Sequence, residues 1–187
     1  EQQAAYNREV RRLWQSIFNQ AAAFWKLRRG QMALMATGSF SRGELVEGSD
    51  FEVWFVTKHG IQGNTVLEGV ARSVMHIATD SFKKAGVSLF FSNQTVDQDF
   101  EAFILKEPRG RGADNLSAAL DAVYLAGSDD LRDQWHSRFE RWRSQPAHRY
   151  QAIGMLLNSR EWRYQYLHQL EPDLKGEVDI GGKIRRL

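Results

Sequence analysis

The sequence contains no cysteine among its 187 residues, and this absence excludes disulfide bonds, thiolate catalysis and thiolate metal sites. It also lacks any apolar run long enough to cross a membrane, so we do not expect a membrane partner. An excess of one charge is missing too, because 25 basic and 23 acidic residues leave a net charge of only +2. That balance does not require a nucleic-acid partner, since clustering of basic residues matters more than their total. These features predict an ordinary globular protein of the cytoplasm.

Several common site patterns are absent as well. No Ser-His-acid combination and no P-loop pattern occurs, and there are no internal repeats. The histidines show no spacing typical of metal ligands, so we do not expect a zinc site. Because the chain starts without Met and stops at GGKIRRL, we expect it to be a fragment of a longer protein.

The apolar pattern predicts an α/β fold. In REVRRLWQSIFNQAAAFWKLRR, Trp14, Phe18 and Trp25 share one helical stripe, which favours core packing over a surface for stacking nucleic-acid bases. The segments QMALMAT, DFEVWFVT and VSLFFS are predicted strands, and TVLEGVARSVMHIATDSFKKAG is a predicted helix. This order of elements implies a small mixed β-sheet covered by helices.

The second half of the chain has a different pattern of predicted elements. We place an α/β core at 1–95, a linker at 96–114, and a helical subdomain with a C-terminal segment at 115–187. From Leu116 the pattern predicts helix nearly to Leu170. The segment WHSRFERWRSQPAHRYQ mixes arginines with aromatics and is open to two interpretations, a surface that binds nucleic acid or an acidic partner, or a solvated helix face. We favour the solvated face.

A stretch of small and charged residues, TGSFSRGELVEGSDFEVWFV, joins the first two predicted strands. Positions i and i+2 of a strand lie on the same side, so Asp50 and Glu52 present two carboxylates together. Adjacent carboxylates repel unless a cation lies between them, and oxygen ligands suit Mg²⁺ bound with substrate phosphates. Backbone N–H groups after Gly38 and Ser39 can bind a phosphate, and Arg42 can add a bidentate contact. The stretch therefore predicts a nucleotide site.

The simpler interpretation is a loop followed by a solvated edge strand. A bare Gly-Ser pair or a bare pair of alternating acids favours that interpretation. The combination of both features between two predicted strands is rarer, and it favours the nucleotide site.

The same stretch resembles the signature of the DNA polymerase β-type nucleotidyltransferase superfamily, a Gly-Ser or Gly-Gly pair followed after a short spacer by acid, apolar, acid, apolar. Within that superfamily it is similar to the bacterial PII uridylyltransferases and related signalling nucleotidyltransferases. The similarity lies in the core Ser41-Arg42-Gly43-Glu44-Leu45 and in Ser49-Asp50-Phe51-Glu52. LDAVYLAGSDDL and LEPDLKGEVDIGG agree with later segments of the family, so the resemblance spans most of the chain.

This resemblance implies transfer of a nucleoside monophosphate from an NTP to a protein or small-molecule acceptor, dependent on Mg²⁺ or Mn²⁺. The implied partners are the NTP, a protein acceptor and the regulatory domains of a larger bacterial signalling protein, and nucleic acid is not expected. The implied residues are Asp50, Glu52 and Asp173 for catalysis, Gly38, Ser39, Arg42 and Lys175 for nucleotide binding, and Asp50 and Glu52 for the metal. The segment carrying Asp173 and Lys175 is expected to fold back over the nucleotide cleft.

The sequence departs from the family in its third carboxylate. Many members take it from a following strand, but GVSLFFSNQ contains no acid, and Asp97 and Asp99 come after it. GGKIRRL also lacks the acid that the family has after its Gly-Gly pair. The alternative to an enzyme is therefore a catalytically inactive domain of the same fold that senses nucleotides or binds a protein.

Overall fold

The computed structural model describes residues 2–38, 40–41, 50–84, 86–105 and 111–157. The predicted α/β class is confirmed, because a mixed four-stranded sheet and several helices are present. Residues 146–157 form helix α6. The preceding elements are α1 (Gln2–Phe24), β1 (Ala33–Thr37), β2 (Asp50–Thr57), α2 (Thr65–Lys83), β3 (Ser88–Thr95), α3 (Phe100–Leu105), α4 (Arg111–Asp121), β4 (Val123–Gly127) and α5 (Asp129–Arg143).

The sheet has the strand order β3-β2-β1-β4. β1 pairs antiparallel with both neighbours, with Thr37 opposite Glu52 on β2 and Ala36 opposite Val123 on β4. β2 and β3 are parallel, and α2 supplies the crossover that a parallel pair requires. At one end of the sheet, the end of β1 therefore lies beside the starts of the other three strands. We call it the acidic end, defined by Thr37, Gly38, Asp50 and Glu52.

Both faces of β2 are buried. The predicted stripe on α1 packs on one face, where Trp14 is 0% and Phe18 is 5% exposed and the ring centroids of Trp14 and Phe51 are 5.4 Å apart. On the other face, the rings of Trp54 and Trp135 of α5 lie with their centroids 5.5 Å apart. Fully burying a large apolar side chain stabilises a fold by about 1.5–3 kcal/mol. These aromatic contacts therefore fix β2, the strand that carries the two predicted metal ligands.

The prediction of helix from Leu116 onward is wrong at β4. The segment VYLAG pairs with β1 as an edge strand, and Leu125 and Ala126 are buried. A short apolar run does not by itself distinguish a buried strand from a helix, because both bury a few consecutive side chains. Pairing with β1, which is distant in the sequence, decides the outcome here.

The chain divides into two compact units. The first comprises Glu1–Gln98 and Asp121–Ser137, and the second comprises Asp99–Leu120 and Arg138–Leu187. The first unit differs from the predicted core at 1–95 because it also contains β4, which joins the sheet, and the start of α5. In the second unit, His148 stacks on Trp142 with ring centroids 4.9 Å apart. Within the described ranges, none of the helices combines the length and the apolar character needed to cross a lipid bilayer.

Candidate functional site

The turn after β1 places a glycine at the acidic end of the sheet. Gly38 directly follows Thr37 and has φ +75°, a conformation that side chains disfavour. A Cβ built on Gly38 would meet none of the described atoms within 4 Å, so the described residues leave the space beside this backbone open. The turn is held by the buried Phe40, whose ring centroid lies 4.7 Å from that of Phe51, and by Ser41 Oγ, which donates a 2.7 Å hydrogen bond to Gly38 O. An open, fixed turn of this kind allows a phosphate to approach the backbone closely.

The carboxylate of Glu52 is oriented by two neutral donors. Glu52 Oε2 accepts a 2.9 Å hydrogen bond from Thr37 Oγ1, and Oε1 accepts a 2.9 Å bond from Trp54 Nε1. Thr37 is 0% and Trp54 1% exposed, so water does not compete for either donor. Within the part of the chain that the structure describes, no cation pairs with Glu52. Because an ionised carboxylate has about four acceptor positions, both oxygens retain capacity for a further partner.

Asp50 is the first residue of β2 and pairs with Ser88 of the parallel strand β3. Positions 50 and 52 lie on the same side of β2, since strand positions alternate between faces. The positions between and after them, Phe51 and Val53, are each 0% exposed, as the alternating pattern predicted. The backbone therefore places positions 50 and 52 on the strand next to β1, with Glu52 opposite Thr37.

Four predicted site residues lie outside the described residues: Ser39, Arg42, Asp173 and Lys175. Their roles, and the predicted return of the C-terminal segment to the cleft, stay predictions. Within the described ranges, no group of three or more acidic, histidine or cysteine side chains is arranged to hold a metal ion. A metal bound by Asp50 and Glu52 alone would need oxygens from the nucleotide to complete its coordination.

β3 supplies no third carboxylate beside Glu52. Glu52 pairs with Phe90, and the β3 sequence SLFFSNQT contains no acid. Asp97 follows the opposite end of β3, where its Oδ2 lies 3.0 Å from His59 Nδ1. Asp99 belongs to the second unit, and its Oδ1 accepts a 3.1 Å hydrogen bond from a backbone N–H of α3. Asp97 is therefore at the wrong end of the sheet, and Asp99 caps a helix.

Asp121 is a carboxylate near the acidic end that sequence reasoning missed. It is the last residue of α4 and is only 4% exposed. Because Ala36 pairs with Val123, Asp121 lies just before β4 at the end of the sheet where β1 finishes. An acid two residues before a strand is a recognisable signal, but finding it required the assignment of β4.

The Trp and Phe residues of the arginine-rich segment are buried, whereas Tyr150 is 74% exposed. Trp135 is 0%, Phe139 2% and Trp142 7% exposed, so their rings are not offered to nucleic-acid bases. On the charged side of α5, Arg143 Nε donates a 2.7 Å hydrogen bond to Glu140 Oε2. This distribution is typical of a packed helix with a solvated charged face.

Comparison of the chain with protein-family models and with curated proteins gives no match in either case. The nucleotidyltransferase interpretation therefore depends on the sequence resemblance and on the chemistry of the acidic end. There, the Gly38 turn directly follows β1, and the oriented carboxylate of Glu52 lies on the adjacent strand β2.

Proposed function

We propose that the chain is a metal-dependent nucleotidyltransferase domain that transfers a nucleoside monophosphate from an NTP to a protein or small-molecule acceptor. The observation that carries the proposal is the hydrogen-bonded Glu52 carboxylate on the strand adjacent to the open Gly38 turn. An anion-binding turn and oxygen ligands for a cation are the two parts that a metal–nucleotide complex requires. In this proposal the domain is part of a larger bacterial signalling protein of the cytoplasm.

The donor set at the acidic end fits a divalent cation. Mg²⁺ is usually bound by one or two carboxylates together with substrate phosphates. Glu52 supplies oriented oxygens with spare acceptor capacity, and Asp50 occupies the next position on the same side of β2. When bound there, Mg²⁺ or Mn²⁺ would neutralise charge on the phosphoryl oxygens.

The protein groups have separate tasks in this proposal. Gly38 and Ser39 donate backbone N–H groups to the triphosphate, and Arg42 adds a bidentate contact. Thr37 and Trp54 are positioning residues, because they hold the Glu52 carboxylate in one orientation without contacting the substrate. In the transfer, the acceptor oxygen bonds to the α-phosphorus while the bond from that phosphorus to pyrophosphate breaks.

The acceptor oxygen needs a base or a further ligand to remove its proton. Asp173 is the residue that the family resemblance offers, with Lys175 as a nearby phosphate contact. Asp121 is the residue that the sheet offers, since it is buried at the end where β1 finishes. Both are accessible to direct test by conservative replacement with Asn.

A non-catalytic nucleotide-sensing or protein-binding domain is the second candidate. The observation that favours it is the identity of the β3 residue paired with Glu52, which is Phe90 rather than an acid. Two carboxylates can still anchor a metal–nucleotide complex, because the triphosphate supplies oxygens of its own. Catalysis also requires a group that removes the proton of the acceptor oxygen. A measurement of turnover therefore distinguishes the two candidates, whereas a measurement of binding does not.

Calorimetric titration with each NTP tests the shared basis of both candidates. We expect binding in Mg²⁺ or Mn²⁺ and none in chelator, and we expect Asp50→Asn combined with Glu52→Gln to abolish it. The matched control is Glu9→Gln combined with Asp80→Asn, which removes one Glu and one Asp charge from exposed helix positions. Equal binding in metal and in chelator would remove the chemical basis of the proposal.

Release of pyrophosphate then separates the enzyme from the non-catalytic domain. We expect slow release from the isolated chain, lost in Asp173→Asn or in Asp121→Asn, whichever residue completes the site. Metal-dependent binding without any release, for every NTP, would select the nucleotide-sensing domain.

A further inference from the structure

A groove lies at the other end of the sheet, where β1 begins and β4 finishes. Its volume is about 360 Å³, within the range of about 300–1,000 Å³ that is typical of small-molecule sites. It is lined by the C-terminal part of α1, the α1–β1 connection and the junction of β4 with α5. We call it the arginine groove, and the lining residues that decide its chemistry are Gln15, Phe18, Asn19, Arg28, Arg29 and Tyr124.

The floor of the arginine groove is formed by apolar side chains. Phe18 is 5%, Met32 1% and Ala126 2% exposed, and Ala22 and Leu27 are half-buried beside them. A flat apolar group placed on this floor would leave water without disturbing any buried polar atom of those five side chains. The groove is therefore suited to the apolar part of a ligand.

The connection that carries the two arginines is held in one conformation. α1 ends in a Schellman motif, in which Leu27 N donates to Ala22 O at 2.8 Å and Lys26 N donates to Ala23 O at 3.2 Å. Lys26 itself has φ +53°. The backbone N–H of Arg28 then donates a 3.0 Å hydrogen bond to Gln31 Oε1. These bonds fix the backbone from which both arginines project.

The charges at the groove are unbalanced in favour of cations. Arg28 and Arg29 are exposed, and neither forms an ion pair within the residues that the structure describes. The acids that follow the groove at the start of α5 already have partners, because Asp129 pairs with Arg132 at 2.7 Å. Two arginines at consecutive positions of the lining can offer bidentate contacts to a bound phosphate.

Amide and aromatic side chains complete the rim. Gln15 and Asn19 lie on the groove side of α1, and each offers both a donor and an acceptor, as the edge of a nucleobase requires. The Tyr124 hydroxyl donates a 3.0 Å hydrogen bond to Gly127 O, and the Arg132 guanidinium lies 4.8 Å from the ring centroid of Tyr124. Burial, and then the charge of Asp129, raise the pKa of the Tyr124 phenol, so the ring stays neutral.

We propose that the arginine groove binds a nucleoside monophosphate, with its phosphate on Arg28 and Arg29 and its base on the apolar floor beside Gln15 and Asn19. The groove volume, the apolar floor and the two arginines each contribute one element of that chemistry. The site is separate from the acidic end and requires no metal, because its anion contacts come from arginines. The proposed nucleotide binding at the groove is therefore independent of the proposed nucleotidyl transfer.

The test is to titrate the full chain with AMP and with UMP in the presence of chelator. Binding is measured by calorimetry and by changes in amide chemical shifts. We expect both nucleotides to bind, with shift changes at residues 28–30 and 124–128. Ribose 5-phosphate and inorganic phosphate should bind more weakly, in that order, because they lack the base. Arg28→Gln combined with Arg29→Gln should weaken AMP binding about tenfold or more, since charge-assisted hydrogen bonds are lost.

The matched control is Arg72→Gln combined with Lys83→Gln, which removes two positive charges from exposed positions of α2. It should bind AMP as the unchanged chain does, and so should Asp50→Asn combined with Glu52→Gln. Equal affinity for inorganic phosphate and AMP would overturn the proposal, because the floor would then contribute nothing. Shift changes centred on Gly38 and Glu52, or binding of oligoribonucleotides without binding of either mononucleotide, would overturn it as well.

Discussion

The two ends of the sheet hold their charges in opposite ways. At the acidic end, the Glu52 carboxylate is fixed by the buried donors Thr37 and Trp54. At the arginine groove, the charged groups of Arg28 and Arg29 are exposed above an apolar floor. An oriented carboxylate suits a small cation that demands defined ligand geometry, whereas paired arginines suit a larger anion that is recognised by charge and shape. The two ends of the sheet thus carry charged side chains of opposite sign.

The largest expected effect concerns the backbone at the groove end. Gly127 has φ +96°, and a Cβ there would lie 2.5 Å from Met32 O. We expect Gly127→Ala to lower the free energy of unfolding by about 2–4 kcal/mol, because backbone strain and a backbone clash add. Urea denaturation measures this loss.

Gly63→Ala is the control for that substitution. Gly63 also has positive φ, +75°, but its Cβ would meet none of the described atoms within 4 Å. It should therefore lose only the strain, about 1–2 kcal/mol. Equal losses in the two variants would show that the close approach of β1 and β4 at the groove is not rigid.

The next largest expected effect is on metal-dependent NTP binding at the acidic end. Trp54→Phe keeps an aromatic ring against Trp135 but removes the indole N–H that binds Glu52 Oε1. We expect it to weaken metal-dependent NTP binding about tenfold, as loss of a positioning hydrogen bond to a metal ligand typically does. AMP binding in chelator should not change.

Trp25→Phe is the matched control, because the Trp25 indole N–H donates a 2.9 Å hydrogen bond to Ser73 Oγ, away from Glu52. It should leave metal-dependent NTP binding unchanged, as measured by calorimetry. If both variants weakened NTP binding equally, Trp54 would have no special role in orienting the carboxylate.

A smaller effect sharpens the account of the α1–β1 connection. Lys26 occupies the left-handed position of the Schellman motif with φ +53°, so Lys26→Gly should raise the free energy of unfolding by about 0.5–1 kcal/mol. Lys84 caps α2 with φ −65°, an ordinary helical value, so Lys84→Gly should lower it. Urea denaturation of both variants distinguishes backbone strain from loss of charge, and stabilisation by both would contradict the argument.

The smallest expected effect is a pKa change that depends on Arg132, an arginine that pairs with a carboxylate. The hydrogen bond from Arg132 lowers the pKa of the Asp133 carboxyl below its ordinary value of 3.8. A lowered folded pKa means that the pair's contribution to stability is present above the unfolded pKa and is lost as the pH falls through the folded pKa. An NMR titration of Asp133 should show the lowered pKa, and Arg132→Gln should return it toward the ordinary value. An unchanged pKa in that variant would contradict the stated cause.

The sequence predicted the acidic end better than the groove, for a physical reason. DFEVWFVT alternates acidic and apolar residues, so the strand β2 and the positions of Asp50 and Glu52 follow from local geometry. The burial of Trp54 was not predicted, because it depends on Trp135 from a distant segment. Local pattern therefore predicted the strand positions of Asp50 and Glu52 but not the contact that orients the Glu52 carboxylate.

β4 shows where local pattern fails. VYLAG continues an apolar spacing compatible with a helix, and only pairing with β1 makes it a strand. Asp121 and the arginine groove were both missed through that one error, because each lies at an end of β4. Their chemistry became visible once the antiparallel register of Ala36 with Val123 was known.

Paramagnetic broadening by Mn²⁺ tests the central claim most directly, because it reports where a metal–nucleotide complex lies. In the presence of an NTP, we expect added Mn²⁺ to broaden the amide signals of Gly38 and Glu52 most strongly, and to affect those of residues 28–30, which precede β1 at the opposite end of the sheet, far less. The broadening should disappear in Asp50→Asn combined with Glu52→Gln. Broadening centred on any other part of the chain, or broadening that survives the double replacement, would contradict a metal–nucleotide site at the acidic end.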